Sequence, residues 1–405
     1  MSIVKIEQIG SQGDGIANLD GQNIYVPYTI DGETVEVDIA NNRGQAVEII
    51  EKSSERVEPV CEYFGKCGGC TLQHMSDDKV ASFKTKLIED AISISPSEFI
   101  NAYESGRRRV KFNIEKNKNE ITLGFMAAKS HDIVDVETCP ILCNDLQNFI
   151  PKLRELCRTL LKPDEKVTAN LTACDNGIDI DIAGIKPLNK KSRGELESLA
   201  IAAQKSGLTR LTLNGELAFQ TMSPIIKFAN VPVEIPPNCF LQATKTCEDA
   251  IKEQLLIWAK GAKRIIDLFS GAGTFSLPLK QIGEVKAYEL NTPAVFALNK
   301  ASKAAAGGHK LEAFTRDLFR LPVSPLELKN IDLAVLDPAR AGANYQVKQL
   351  VKSKINKIIY ISCEPASFAE DLKVLVEGGF KLKELKAFDQ FRYSTHVEIM
   401  GLFIR

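Results

Sequence analysis

Short apolar–polar alternations broken by turn-forming pairs fill residues 1–53. The runs are Ile3–Ile9, Asn23–Tyr28, Val35–Ile39 and Ala46–Ile50, punctuated by Gly13-Asp14-Gly15 and Asp31-Gly32. A period of two puts alternate side chains on one face, and punctuation at this spacing predicts a small β-barrel of the oligonucleotide-binding kind, closed by the last run. From residue 54 the pattern changes to a cysteine-rich loop, a helical periodicity over Asp77–Ile92, and alternating runs at Lys166–Leu171, Ile178–Ile182, Leu208–Leu213 and Glu216–Thr221, with a helix at Gly194–Ser206. A central α+β domain with an antiparallel sheet and helical cover is expected. After Pro236, apolar runs at Arg264–Leu268, Glu284–Tyr288, Leu333–Leu336, Lys357–Ser362 and Lys381–Phe388 alternate with helix-like stretches such as Pro293–Ala305 and Phe368–Glu377. That alternation predicts a parallel, doubly wound, Rossmann-like α/β sheet. The expected division is therefore multidomain: 1–53, 54–235 and 236–405.

A chain of 405 residues is too long for one core, which fits this division. Its 44% apolar and 25% charged content is that of a soluble globular protein. No apolar run reaches the ~18 residues of a membrane helix, and Met1–Gly10 lacks the features of a signal peptide, so a cytoplasmic monomer without a membrane partner is expected. Net charge is −1. A nucleic acid would therefore need a local basic patch. Arg107, Arg108, Arg109 and Lys111 offer one, as do Lys186, Lys190, Lys191 and Arg193, although either run also reads as ordinary solvated charge.

Ten cysteines in a reducing compartment point to metal binding or catalysis where they cluster. Cys157, Cys174, Cys239 and Cys247 stand singly and read as core positions. Cys61, Cys67 and Cys70 share a glycine-rich loop able to wrap a metal centre. Cys139, followed by Pro140, is the best fourth ligand, with Cys143 as a decoy. Four thiolates suit zinc or an iron–sulfur cluster. Zinc sites more often use two close pairs, so a triplet plus a distant cysteine leans toward 4Fe-4S.

The segment Ile265–Phe275 reads as a buried strand, a glycine turn at Gly271 and Gly273, and a helix start. Glu289, 22 residues after Asp267, falls where a ribose hydroxyl partner is expected. Ser276 occupies the place of a third glycine, which favours a cofactor without a diphosphate, such as S-adenosylmethionine. Asp317 and Asp337 follow short strands, where ligands of such sheets bind. Asp337 precedes Pro338, however, and an aspartate there is often only a turn former.

Cys363 ends the strand Lys357–Ser362 and should face the cofactor crevice. A thiolate there, with a lowered pKa or a base nearby, could add to carbon 6 of a uracil and make carbon 5 nucleophilic enough to take a methyl group. A general base must then remove the carbon 5 proton. Glu398 is the candidate, and alternation places it on one face with His396. Taken alone, Cys363 could equally be a small buried strand-end residue, and His396 a structural imidazole.

Assembled, these residues resemble the bacterial RNA uracil-C5 methyltransferases, the RumA and TrmA group, over almost the whole chain. The resemblance implies a TRAM domain for the barrel, 4Fe-4S ligands at Cys61, Cys67, Cys70 and Cys139, a nucleophile at Cys363 and a base at Glu398. It also implies S-adenosylmethionine contacts at Gln242, Phe269, Thr274, Glu289, Asp317 and Asp337. RNA is the implied partner, with 23S ribosomal RNA preferred. The alternatives are transfer RNA methylation and a non-catalytic iron–sulfur RNA-binding protein. Two positions depart from the family's usual pattern: Glu364 stands where asparagine is usual, and Asp389–Ser394 lacks the usual Met-Phe-Pro-Gln.

Overall fold

A computed structural model describes all 405 residues. The N-terminal sheet runs in the order Ser2–Lys5, Thr34–Ala40, Arg43–Glu51, Gln22–Val26, Gly15–Leu19, Gln8–Ile9. Its two edges are consecutive pieces of one bent segment. Ile6 N–H donates to the Glu33 carbonyl on one side, and Glu7 N–H to the Ile16 carbonyl on the other. The bend, rather than the run at Ala46–Ile50, closes the barrel around Val4, Ile6, Ala17, Ile24, Val26, Val35 and Val37. Gly15–Leu19 escaped the periodicity because its inward positions are Gly15 and Ala17, too small to register as apolar. A bidentate ion pair from Arg56 to buried Glu33 fastens the barrel to the next segment. Burial pushes the Glu33 carboxyl up, but those hydrogen bonds bring it below its usual range.

The central sheet has the order Ile133–Asp135, Glu120–Met126, Arg109–Asn117, Lys166–Cys174, Gly177–Ala183, Arg210–Leu213, Glu216–Gln220. Every pairing is antiparallel except that of Gly177–Ala183 with Arg210–Leu213. That exception corrects the expectation of a wholly antiparallel sheet. Helix Arg193–Ser206, begun by a Ser192–Glu195 capping box and ended by left-handed Gly207, makes the crossover a parallel pair requires. Helix Asn144–Leu160 covers the sheet with Leu146, Phe149, Ile150, Leu153 and Leu156.

The largest sheet runs Leu311–Thr315, Glu284–Glu289, Arg264–Leu268, Leu333–Leu336, Lys357–Ser362, Glu398–Ile404, Lys381–Asp389, Glu98–Asn101. The first five strands are parallel. Glu398–Ile404 runs antiparallel to both its neighbours, so the sheet is mixed rather than purely parallel. Its edge comes from far earlier in the chain: Glu98–Asn101 pairs with Lys381–Asp389. Helix Asp77–Ile92, capped by Ser76, buries Ile88 and Ile92 in the same core. Lys84 and Asp389, both fully buried, form an ion pair there. Between the central and C-terminal sheets lies a cavity of about 850 Å³. No helix is long and apolar enough to cross a membrane.

Candidate active site

Strand order reverses at Arg264–Leu268, which has Glu284–Glu289 on one side and Leu333–Leu336 on the other. Ligands of such sheets sit above a reversal of this kind, at the strand carboxyl ends. The chain leaves the strand through Phe269, a non-glycine residue held at φ +66. The N–H groups of Phe269 and Ser270 donate to the Tyr288 carbonyl and hold that conformation. Gly273 sits at φ +102, and a Cβ there would come 2.3 Å from Leu298 Cδ1. The glycine is thus required by packing as well as by backbone conformation. Gly271 lines the cavity with open space beside it. Its N–H donates to Glu289 at 3.0 Å, and Glu289 also accepts from Asn291 N–H at 2.8 Å.

The antiparallel register pairs Ser362 with Ile399, so one step on the chain reaches Cys363 on one strand and Glu398 on the other. Both line the cavity, together with Asp337, Arg340, Phe269 and Glu289. Cys363 is half-buried. Burial, with Glu398 and Asp337 nearby, pushes its thiol up to about 11, while Arg340 opposes the shift. Of the two aids expected from sequence, a lowered thiol pKa or a base nearby, the first is not what the surroundings give, because burial, and after it the two carboxyls, disfavour the thiolate; Glu398 lies close by as the second. Burial pushes Glu398 to about 7, against a Gln390 hydrogen bond and Arg340. Asp337 lies well above its usual range through burial and the proximity of Glu398 and Asp267. Asp267, buried and accepting a hydrogen bond from Ser276, is pushed to about 7.

His396 lies just before the strand that Glu398 begins. Its Nε2 is 3.1 Å from an Arg340 nitrogen. It supports Arg340 at the cavity rim instead of sharing a strand face with Glu398.

Of the positions expected to touch a cofactor, Phe269, Glu289 and Asp337 line the cavity and Gln242, Thr274 and Asp317 do not. Gln242 is buried one layer back and donates to Asp337 at 3.1 Å. Asp317 caps the following turn, accepting from Phe319 and Arg320 N–H. Gln390 escaped the sequence reading although it bonds both Gln242 and Glu398. Its only sequence signal was its place in a stretch that departs from the family pattern.

The basic run splits. Arg107 and Arg109 line the cavity, and Arg109 lies over the Phe240 ring. Arg108 is instead buried in an ion pair with Glu248, which removes it from any role at phosphates. Of the second run, Lys186 and Arg193 are engaged by Glu195 and Glu197. Phe125 packs on core Phe112 with ring centroids 5.1 Å apart, and Phe269 packs on Phe319 at 5.5 Å. Cys157, Cys174, Cys239 and Cys247 are buried, as expected of core positions.

Cys61, Cys67, Cys70 and Cys139 line the cavity wall opposite the catalytic strands. Gly68 N–H donates to the Met126 carbonyl, pinning the loop to the central sheet. Burial raises the Cys70 thiol to about 11 and the Cys139 thiol to about 12, and the neighbouring thiols add to both shifts. Thiols that raise one another would deprotonate together only around a cation. No three His, Cys, Asp or Glu side chains stand close enough to hold a metal ion, however, so the expected ligand set shares a wall without closing around a centre.

The chain matches the family described as tRNA (uracil-5-)-methyltransferase over residues 72–405 and the TRAM domain over residues 3–46. An RNA methyltransferase of Agrobacterium fabrum is 37% identical, with 98% of each chain covered. A 23S rRNA (uracil(1939)-C(5))-methyltransferase, RlmD, of Shewanella sediminis is 30% identical, covering 100% of this chain and 95% of the other. Among solved structures, the Pyrococcus abyssi tRNA (uracil-54, C5)-methyltransferase, in complex with S-adenosyl-L-homocysteine, superposes over 100% of both chains at a TM-score of 0.76 and 21% identity. At that identity the likeness concerns the fold.

Proposed function

The chain belongs to the tRNA (uracil-5-)-methyltransferase family, and from that premise we propose that it transfers a methyl group from S-adenosylmethionine to carbon 5 of a uridine in RNA. One observation carries the reading: Cys363, Glu398 and Asp337 meet the glycine turn on one cavity. The buried, unpartnered Oε2 of Glu398, a residue that lines the cavity, fits a site built for a polar ligand. Glu289 keeps a lone pair free on each oxygen for ribose hydroxyls. Phe269 and Asp337 flank the same space, and Gln242 acts through Asp337. Asp317 caps the turn beside it, and Thr274 follows Gly273 in the glycine turn.

When bound, the donor supplies the methyl group and a positive sulfonium charge. Burial and the two carboxyls hold Cys363 as a thiol, and Arg340 is the charged side chain that favours the thiolate. Once its proton has left to solvent, the Cys363 sulfur adds as thiolate to uracil carbon 6 and leaves a nucleophilic carbon 5, which takes the methyl group with the donor's neutral thioether as leaving group. Glu398, whose pKa burial raises to about 7, accepts the proton from carbon 5 in its carboxylate form. The carbon 6–sulfur bond then breaks, returning Cys363 as thiolate. A uridine within folded RNA must swing out of its stack to reach a cavity of this depth. The barrel, with Arg107 and Arg109, would hold the RNA backbone.

We assign 23S ribosomal RNA as the substrate, on the full-length likeness to a 23S enzyme. Unmodified 23S and transfer RNA transcripts, each offered with labelled donor, test this. Label on the 23S transcript is expected, and label on transfer RNA alone would reassign the substrate. With 5-fluorouridine at the target the reaction should stall as a covalent protein–RNA adduct, and a protein that forms neither product nor adduct is a binder.

The resemblance calls for a 4Fe-4S cluster on the four cavity cysteines; as they stand they share one wall without closing around a centre, so a cluster would have to draw the loop and Cys139 together beside the RNA. Anaerobic purification should give a brown protein with iron and broad visible absorption, and colourless protein without iron would discard the cluster. The protein is expected to run as a monomer in size exclusion.

A further inference from the structure

Gln390 is buried between the catalytic strand and the segment Leu241–Thr244. Its Oε1 accepts the N–H of Ala243 at 2.6 Å and that of Thr244 at 3.4 Å. Only the amide oxygen can accept those bonds, so the orientation of the amide is decided by the backbone rather than by convention. Nε2 must then donate both its hydrogens, one to Gln242 Oε1 at 2.7 Å and the other to Glu398 Oε1 at 2.9 Å. The same logic passes down the line. Because Gln242 Oε1 is an acceptor, its Nε2 faces Asp337 Oδ2 at 3.1 Å. Two backbone N–H groups thus orient two amides, and through them give one N–H donor to each of two cavity carboxyls.

One consequence concerns a proton. Glu398 Oε1 already accepts an N–H, whereas Oε2 is buried without a partner in a residue that lines the cavity. We propose that Gln390 is the positioning residue for the base: it holds Glu398 by Oε1, so that the proton taken from uracil carbon 5 arrives on Oε2. This rests on the reading of Glu398 as the base. The charged or ionisable groups around Glu398 are Arg340, which favours its carboxylate, and Asp337, Cys363 and Cys247, which are coupled to it. Gln390 is the uncharged donor among them, and without it the protonated form of Glu398 gains.

The experiment follows the covalent adduct on ordinary, unfluorinated RNA, using whichever transcript the methylation assay labels, as a function of pH. Adduct should build up wherever Glu398 is protonated and cannot remove the carbon 5 proton. In Gln390→Met, which keeps length and burial but loses the donor, the midpoint of that build-up should move to higher pH by about one unit or more. Gln390→Glu, which still accepts from Ala243 but sets a second carboxyl against Glu398, should move it further the same way, and carries the test if the methionine variant does not fold. A folded variant of either kind whose midpoint stays at the wild-type pH overturns the proposal. Glu398→Gln separates the two claims. If it accumulates adduct at every pH while the Gln390 variants shift nothing, the base stands and the positioning role falls; if it turns over normally, the base reading falls first.

Discussion

Two walls of one cavity carry thiols with raised pKa values, and their neighbours differ. On the catalytic wall Cys363 faces two carboxyls and a guanidinium. On the loop wall Cys70 and Cys139 face other thiols, with Gln73 hydrogen-bonded to Cys70 and Arg107 as the one cation beside them. Burial dominates both shifts, so the shift alone does not tell the walls apart. What distinguishes them is the remedy each needs. A lone thiol beside Arg340 becomes a nucleophile when one more positive charge arrives, whereas thiolates gathered on the loop wall would repel one another unless a metal centre sat among them.

The largest effect expected on this contrast is at Cys363. Cys363→Ala should abolish both methylation and the 5-fluorouridine adduct, a loss of roughly 10³-fold or more, and an adduct surviving in the variant would move the nucleophile elsewhere. Next comes Glu398→Gln, for which a fall in turnover of roughly 10²–10⁴-fold with adduct accumulating on ordinary RNA is expected. On the loop wall, Cys139→Ser should remove most of the bound iron and its visible absorption while leaving the Cys363 adduct chemistry measurable; unchanged iron content would show that Cys139 is no ligand. A smaller effect is expected of Arg340→Gln. Loss of the cation should move the alkaline rise of adduct formation upward by about one pH unit, read from single-turnover rates.

The smallest effect concerns Asp267. Its folded pKa, about 7, stands above the 3.8 of an ordinary aspartate. A carboxyl raised on folding gives its stability below the ordinary value and loses it as pH rises through the folded one. Asp267→Asn should therefore melt higher than wild type at pH 8, with little difference at pH 4. Equal melting at both pH values would mean that Asp267 ionises as freely in the folded protein as in the unfolded chain.

The centre of the C-terminal sheet was legible because its strands are nearly all apolar. Arg264–Leu268, Leu333–Leu336 and Lys357–Ser362 emerge with the boundaries read from sequence, since strands buried on both faces form unbroken hydrophobic runs. Gly15–Leu19 was not legible, because small residues carry its inward face. The barrel's closure was hidden too, since a bent first strand leaves no mark in periodicity. Arg108 illustrates the same limit for charge: three adjacent arginines look alike in sequence, yet one is buried against Glu248.

The sequence by itself determined which atoms can react. A thiol after an apolar strand, a carboxylate near the chain end, a glycine turn and a cysteine-rich loop are local features, and local chemistry is written in residue identity. Only the tertiary structure decided how those atoms meet. One antiparallel strand inserted into a parallel sheet brings Glu398 beside Cys363, and Gln390 bonds both Glu398 and Gln242, the latter 148 positions before it. Those partnerships depend on register and on the long-range packing that fixes it, which no spacing along the chain encodes.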